Sequence, residues 1–66
     1  MSTMNYLITY WTGKSIRVVA DGIRSAGNAA GYTDRWLDGH SEQSTDGHMM
    51  AVLGEHGDTV ATIRQE

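Results

Sequence analysis

Three histidines, each close to carboxylates, are the residues of this sequence that most resemble a site for chemistry. The tripeptide Asp-Gly-His ends at His40 and again at His48, and His56 follows eight residues later within Gly-Glu-His-Gly-Asp. Zinc accepts imidazole and carboxylate ligands, usually four in a structural site and three in a catalytic site. Because the chain contains no cysteine, these three histidines and their neighbouring aspartates are the candidate metal ligands.

The spacing of the histidines favours turns over metal binding. If residues 48–53 and 59–64 form a hairpin, His48 lies at its open end and His56 in its turn, roughly 20–25 Å away. The histidines also lack the H-x-x-x-H spacing that brings two ligands together on adjacent turns of a helix. Asp-Gly is also a common turn dipeptide and explains the repeat by itself. We therefore expect exposed histidines after turns, with no metal and no other cofactor.

No motif in the sequence frames a nucleophile or a phosphate site. Ser25, Ser41 and Ser44 are present, but the Gly-x-Ser-x-Gly pattern is not. The glycine-rich residues 27–31 are not followed by the Lys-Ser/Thr pair of a phosphate-binding loop. A domain of 66 residues also encloses little volume for a substrate. The sequence therefore predicts a protein that is not an enzyme.

The aromatic, methionine and arginine residues indicate binding instead. Trp, Tyr, Met and Arg are enriched in the core and hot spots of protein interfaces. The alternative interpretation is core packing, because the chain has no phenylalanine to fill its interior. The first interpretation predicts a non-enzymatic protein–protein interaction module, whose partner-binding residues are Trp11, Arg35, Trp36, Met49 and Met50.

Nucleic acid is the alternative partner. Tyr10, Lys14 and Arg17 cluster around the first predicted hairpin, where an aromatic ring and two cations suit a single strand. The net charge is −3, however, and residues 36–66 hold six acidic side chains and one basic. Proteins that grip phosphates normally have a basic surplus. A small nucleic-acid-binding β-barrel therefore stays the second hypothesis.

Two hairpins are the elements that must position these residues. Residues 5–12 and 15–21 are rich in β-branched and aromatic residues that alternate, and Gly13-Lys14 separates them. An apolar run at residues 48–53 and an alternating run at 59–64 flank a second turn at 54–58. Strand-length segments joined by short turns predict antiparallel pairing.

The middle of the chain is less regular, because five glycines interrupt residues 22–47. Residues 23–26 are expected to extend the second strand past a bulge. Residues 32–37 form either a short strand or one helical turn capped by Thr33 or Asp34. The whole chain is predicted to be one all-β, mainly antiparallel domain of four or five strands, shaped as a roll or partly open barrel. Residues 1–4 are expected to be a loose tail and 38–47 an exposed loop.

The size of the chain favours self-association. Domains this small usually need a disulfide, a metal or a partner subunit, and cysteine is absent. Proline, which protects many sheet edges, is absent as well. We therefore expect a homo-oligomer. No apolar run reaches the roughly 18 residues of a membrane span, and no basic N-terminal region precedes an apolar stretch, so we expect a cytoplasmic protein without a membrane partner.

The layout of the chain resembles that of small β-rich proteins encoded by actinobacteria and their phages. The resemblance rests on Tyr6-Leu7-Ile8-Thr9-Tyr10, on Val18-Val19-Ala20-Asp21, and on the final pair Met50-Ala51-Val52-Leu53 and Thr59-Val60-Ala61-Thr62-Ile63. It covers about two-thirds of the chain and omits residues 24–47. It implies a phage accessory protein that binds a host factor in the host cytoplasm, and it transfers no functional residue.

Overall fold

The computed structural model describes residues 2–66 as one five-stranded antiparallel sheet with two short helices. The elements in chain order are β1 (Met4–Tyr10), β2 (Ser15–Ala20), α1 (Ile23–Ala29), α2 (Asp34–Gly39), β3 (Ser41–Gln43), β4 (Met49–Leu53) and β5 (Thr59–Gln65). The strands lie in the order β2-β1-β5-β4-β3, so the first hairpin and the second pack side by side through β1 and β5. The predicted mainly-β antiparallel class is confirmed.

Both hairpins form where the sequence predicts them. The first closes with Tyr10 N–H donating to Lys14 O at 2.8 Å, and Gly13 takes the positive φ of 91° that its turn requires. The second closes with Gly54 N–H donating to Asp58 O at 2.7 Å. In each case β-branched runs supply the strands and a glycine supplies the turn.

Helix α1 occupies residues that we expected to extend the second strand. The strand expectation at residues 23–26 is wrong, because a short helix packs there over β1, β2 and β5. Gly27 lies at the tightest point of this packing: a Cβ added to it would lie 2.9 Å from both Leu37 Cδ1 and Met50 Cε. A glycine that is unfavourable for an isolated helix thus allows close approach to the core.

Helix α2 is the helical alternative that the sequence left open at residues 32–37. Thr33 is its N-cap, and the Thr33 hydroxyl accepts a hydrogen bond from Trp36 N–H at 3.1 Å. The helix is followed directly by β3, which lies within the segment expected to be a loop. At the other end of the chain, β1 begins at Met4, the last residue of the expected tail.

The helices cover only one face of the sheet. Inward side chains from β1, β4 and β5 meet those of the two helices, and the sheet's other face carries no layer among residues 2–66. No helix in this part of the chain is long and apolar enough to cross a membrane. The buried core consists of Tyr6, Ile8, Ile23, Ala26, Leu37, Met50, Val52, Ala61 and Ile63.

Candidate functional site

The uncovered side of the sheet, called the open face below, is built by strand alternation. Successive side chains of a strand point to opposite faces, so each core residue has neighbours that point away from the helices. On β5, for example, buried Ala61 and Ile63 alternate with exposed Thr62 and Arg64. The open face consists of Leu7, Thr9, Trp11, Arg17, Val19, Met49, Ala51, Thr62 and Arg64.

All three large apolar side chains that the structure leaves exposed lie on the open face. They are Trp11, Val19 and Met49, with 77%, 65% and 49% of their surface accessible. Trp11 continues the alternation of β1, since its backbone N–H still bonds to Val60 O at 2.9 Å. An isolated exposed apolar residue is ordinary, but a set confined to one face marks an interaction surface.

Arg64 occupies the middle of this face. The strand registers place Leu7 opposite Arg64 on one side and Met49 opposite it on the other. The same row continues to Arg17 on β2. A depression of about 160 Å³ is centred here, lined by Leu7, Thr9, Met49, Thr62 and Arg64. An apolar rim, two hydroxyls and one guanidinium therefore meet at one place.

The two arginines of the open face differ in their ionic partners. Arg17 Nε donates to Glu66 Oε1 at 2.9 Å, so its charge is paired within the chain. Arg64 forms no ion pair with residues 2–66. The face as a whole carries these two arginines against Glu66 and the edge residue Glu42, so the net −3 of the chain lies elsewhere.

The structure brings together two of the five predicted partner-binding residues. Trp11 and Met49 share the open face, whereas Arg35 and Trp36 lie on α2 on the opposite side of the sheet. Met50 is only 4% exposed and packs in the core. These five side chains do not form one surface, because alternation along β4 separates Met50 from Met49 and because Arg35 and Trp36 belong to α2.

Trp36 has a structural environment of its own. Its indole Nε1 donates to Leu53 O at 3.0 Å, and its ring stacks on that of His40 with centroids 3.9 Å apart. His40 Nδ1 lies 3.2 Å from Trp36 O. These contacts join α2 to the sheet, as expected for a half-buried aromatic side chain with a polar handle.

The three residues of the nucleic-acid hypothesis point in different directions. The Tyr10 hydroxyl donates to Ala30 O at 2.9 Å on the helix side of the sheet. Arg17 lies on the open face and is paired with Glu66, while Lys14 follows the turn between β1 and β2. No stacking platform with adjacent cations arises from this set, and nucleic-acid binding stays a prediction.

The histidines lie in three separate places. His48 Nδ1 is 3.7 Å from Asp46, and His56 Nε2 is 3.8 Å from Glu55, both on the surface. Across residues 2–66, no three histidine, aspartate or glutamate side chains converge as a metal site would require. Asp46 instead holds its turn: hydrogen bonds from the Ser44 hydroxyl and from His48 N–H lower the pKa of its carboxyl.

The sequence interpretation missed Leu7, Val19, Thr62 and Arg64 as surface residues of one site. Their signal was present in the alternation of β1, β2 and β5, which divides the side chains of each strand into two sets. The alternation does not reveal which face the helices cover.

Comparisons with known proteins give no relative for this chain: no family model, curated protein or solved structure matches it.

Proposed function

We propose that this chain is a non-enzymatic protein-binding module that docks a partner on the open face of its sheet. The observation that carries the proposal is the confinement of Trp11, Val19 and Met49, its large exposed apolar side chains, to that face. Trp and Met are among the residue types enriched at interfaces. In the setting implied by the layout resemblance, the partner is a host protein bound by a phage accessory protein.

The shape of the open face suits a protein better than a small molecule. Its central depression measures about 160 Å³, whereas ligand pockets are typically about 300–1,000 Å³ and bury most of the ligand. A second depression of about 300 Å³, at the lower end of that range, adjoins it through Met49 and Thr62 and extends to the β3 edge. Because both depressions open on an exposed sheet, they suit side chains of an opposing surface better than an enclosed small ligand.

Arg64 gives the proposed partner a chemical requirement. Within residues 2–66 the Arg64 guanidinium has no ionic partner, and it lies between Leu7 and Met49. It is therefore a suitable donor for a carboxylate. Burial of Arg64 under a purely apolar partner would cost free energy, because its charge would lose water without gaining an acceptor. The partner is therefore expected to present Asp or Glu among apolar side chains.

Self-association belongs to the same proposal. A chain of 66 residues without cysteine gains stability from a partner subunit. The unpaired outer strands of an open sheet provide backbone groups for that purpose.

The docking proposal is tested by affinity capture followed by measurement with the purified partner. Wild type, Trp11→Ala, Met49→Ala and the control Arg35→Ala are used as baits in a lysate of the cell that expresses the protein. A captured protein is identified, purified and titrated calorimetrically against each variant. We expect Trp11→Ala and Met49→Ala to weaken binding at least about tenfold, or 1.4 kcal/mol, and Arg35→Ala to leave it unchanged. Equal affinity of all four baits would exclude the open face.

A further inference from the structure

The free edge of β2 presents backbone groups that have no strand to pair with. β2 is an outer strand of the sheet and is six residues long, whereas β3 at the other edge has three. In an antiparallel pair, alternate residues direct both N–H and C=O toward the partner strand. It follows that half of the β2 residues direct theirs away from the sheet.

The register identifies which residues those are. Trp11 N–H bonds to Val60 O and Glu66 N–H bonds to Asn5 O, so odd-numbered residues of β1 pair with β5. The even-numbered residues of β1 therefore pair with β2, and they lie opposite Ile16, Val18 and Ala20. The remaining residues of β2, which are Ser15, Arg17 and Val19, direct their backbone groups to the free edge.

This edge lacks the features that usually prevent strand addition. Proteins protect edges with proline, lysine, bulges or very short strands. β2 contains no proline or lysine, and its pairing with β1 is uninterrupted from Ser15 to Ala20. The one charged residue, Arg17, forms an ion pair with Glu66 of the same chain, which reduces its repulsion of an added strand.

We infer that two copies of the chain pair through this edge, with β2 antiparallel to the β2 of a second copy. The pairing places Val18 opposite the second copy's Val18 and joins two sheets into one of ten strands. The inference names the surface for the self-association proposed above, and it is independent of partner docking on the open face.

Strand length and charge together favour this register. With Val18 on the two-fold axis, Arg17 lies opposite the second copy's Val19, and these residues are the ones whose backbone groups face the edge. A register centred on Arg17 would place two like charges directly opposite each other, which is destabilising. Registers centred on Ile16 or Val19 would pair only residues 15–17 or 18–20 of β2, a shorter overlap than the 16–20 of the Val18 register.

The arrangement also determines where the open faces lie. Antiparallel strands in one continuous sheet are related by a two-fold axis perpendicular to it, so directly opposed side chains point the same way. The open faces of both copies therefore lie on one side, and the α1 helices on the other. The dimer therefore presents two open faces side by side, and the pairing of the β2 edges covers neither of them.

Single cysteines test the register, because the wild-type chain has none. In the proposed pairing the Cα atoms of residue 18 in the two copies are about 4.5 Å apart, within the range of a disulfide. Those of residue 19 are roughly 8 Å apart, beyond it. Val18→Cys should oxidise to a covalent dimer on a non-reducing gel, and the matched Val19→Cys should stay largely monomeric. Circular dichroism of both variants checks that they are folded.

Charge variants test the edge without a cross-link. Val19→Lys places an ammonium opposite the second copy's Arg17, and the two-fold axis makes this like-charge pair occur twice in each dimer. We expect the dimer to associate roughly tenfold more weakly, as measured by sedimentation. Met49→Lys makes the same change on the open face away from the edge and should leave the dimer intact.

The outcomes separate the two levels of inference. A wild-type chain that stays monomeric in native mass spectrometry and sedimentation contradicts self-association and the edge together. A wild-type dimer that survives Val19→Lys contradicts the edge while self-association stands. A dimer that links through residue 19 as readily as through residue 18 contradicts the Val18 register. Loss of the dimer in Met49→Lys alone would assign self-association to the open face.

Discussion

The two faces of the sheet are made by the same strands and have different roles. On the closed face, Ile8, Val52 and Ile63 have no accessible surface and pack beneath two helices. On the open face, Leu7, Thr62 and Arg64 alternate with them on β1 and β5 and have no layer above them. Neighbouring positions of a strand share the same backbone and the same register. A difference in stability between substitutions at two such positions therefore reports the effect of burial alone. The closed face stabilises the fold, and the open face is available for a partner.

A pair of substitutions on β5 compares the contributions of the two faces to the free energy of unfolding. Ile63→Ala removes a side chain that lies between Ile8 and Met50 in the core, and we expect a loss of about 2–5 kcal/mol in the free energy of unfolding. Thr62→Ala, one residue away on the open face, should change it by less than about 0.5 kcal/mol. Urea denaturation measures both. Similar losses for the two variants would show that the open face is covered in solution.

The packing of α1 gives the next largest effect. Gly27→Val adds a branched side chain where Leu37 Cδ1 and Met50 Cε already lie 2.9 Å from an added Cβ. We expect a destabilisation of about 1–3 kcal/mol, since overpacking a core outweighs the gain in helix propensity. Gly39→Val in α2, where nothing lies within 4 Å, is the control and should be neutral or stabilising. If Gly27→Val proves the more stable in thermal melts, α1 does not sit this close to the sheet.

The cap of α2 should contribute a smaller amount. Thr33→Ala removes the hydroxyl that accepts from Trp36 N–H, and the expected loss is about 1 kcal/mol. Thr33→Ser keeps the acceptor and should retain most of the stability. Chemical denaturation of the three proteins distinguishes loss of the cap from loss of the threonine methyl group. An equal effect of alanine and serine would rule out the capping bond as the cause.

The smallest effect concerns the contacts that hold the two helices together. Hydrogen bonds from Asn28, together with Arg24, lower the pKa of Asp34 below its usual value. A carboxyl whose pKa is lower in the folded state adds stability above the unfolded-state pKa, about 3.9, and loses it as the pH falls through the folded-state pKa. We expect a modest decline of the melting temperature below about pH 4.

Asp34→Asn is the matched variant for this acid dependence. It should reduce the slope of melting temperature against pH in the acid range, and it should leave Trp36 fluorescence at pH 7 unchanged. Asp46, whose pKa is also lowered, accounts for part of the remaining slope. An Asp34→Asn profile parallel to that of wild type would show that the contact between the helices does not form in solution.

The hairpins could be predicted from sequence because their signals are local. Alternating β-branched residues and a glycine between them specify strand, turn and strand without reference to the rest of the chain. For residues 32–37 the sequence left a strand or a helical turn open, with Thr33 or Asp34 as the cap. Thr33 could be named as a candidate because the hydroxyl and the amide it binds are only three residues apart. Helix α1 could not be predicted in this way. Its sequence, Ile-Arg-Ser-Ala-Gly-Asn-Ala, contains a glycine that weakens helices, and it is stabilised by packing on distant strands.

Each side chain of a strand can be assigned from sequence to one of two sets, because alternation follows from the pleat of the backbone. Which of the two sets is buried depends on the packing of other elements against the sheet. On β1 both sets are apolar, with Tyr6, Ile8 and Tyr10 on one side and Leu7, Thr9 and Trp11 on the other. Helices α1 and α2 come from a different part of the chain from β1. Their contact with the sheet covers the first set and leaves the second exposed. The candidate site exists because the helices cover one face of the sheet and leave the other exposed. Burial therefore depends on where another element packs and not on the strand alone.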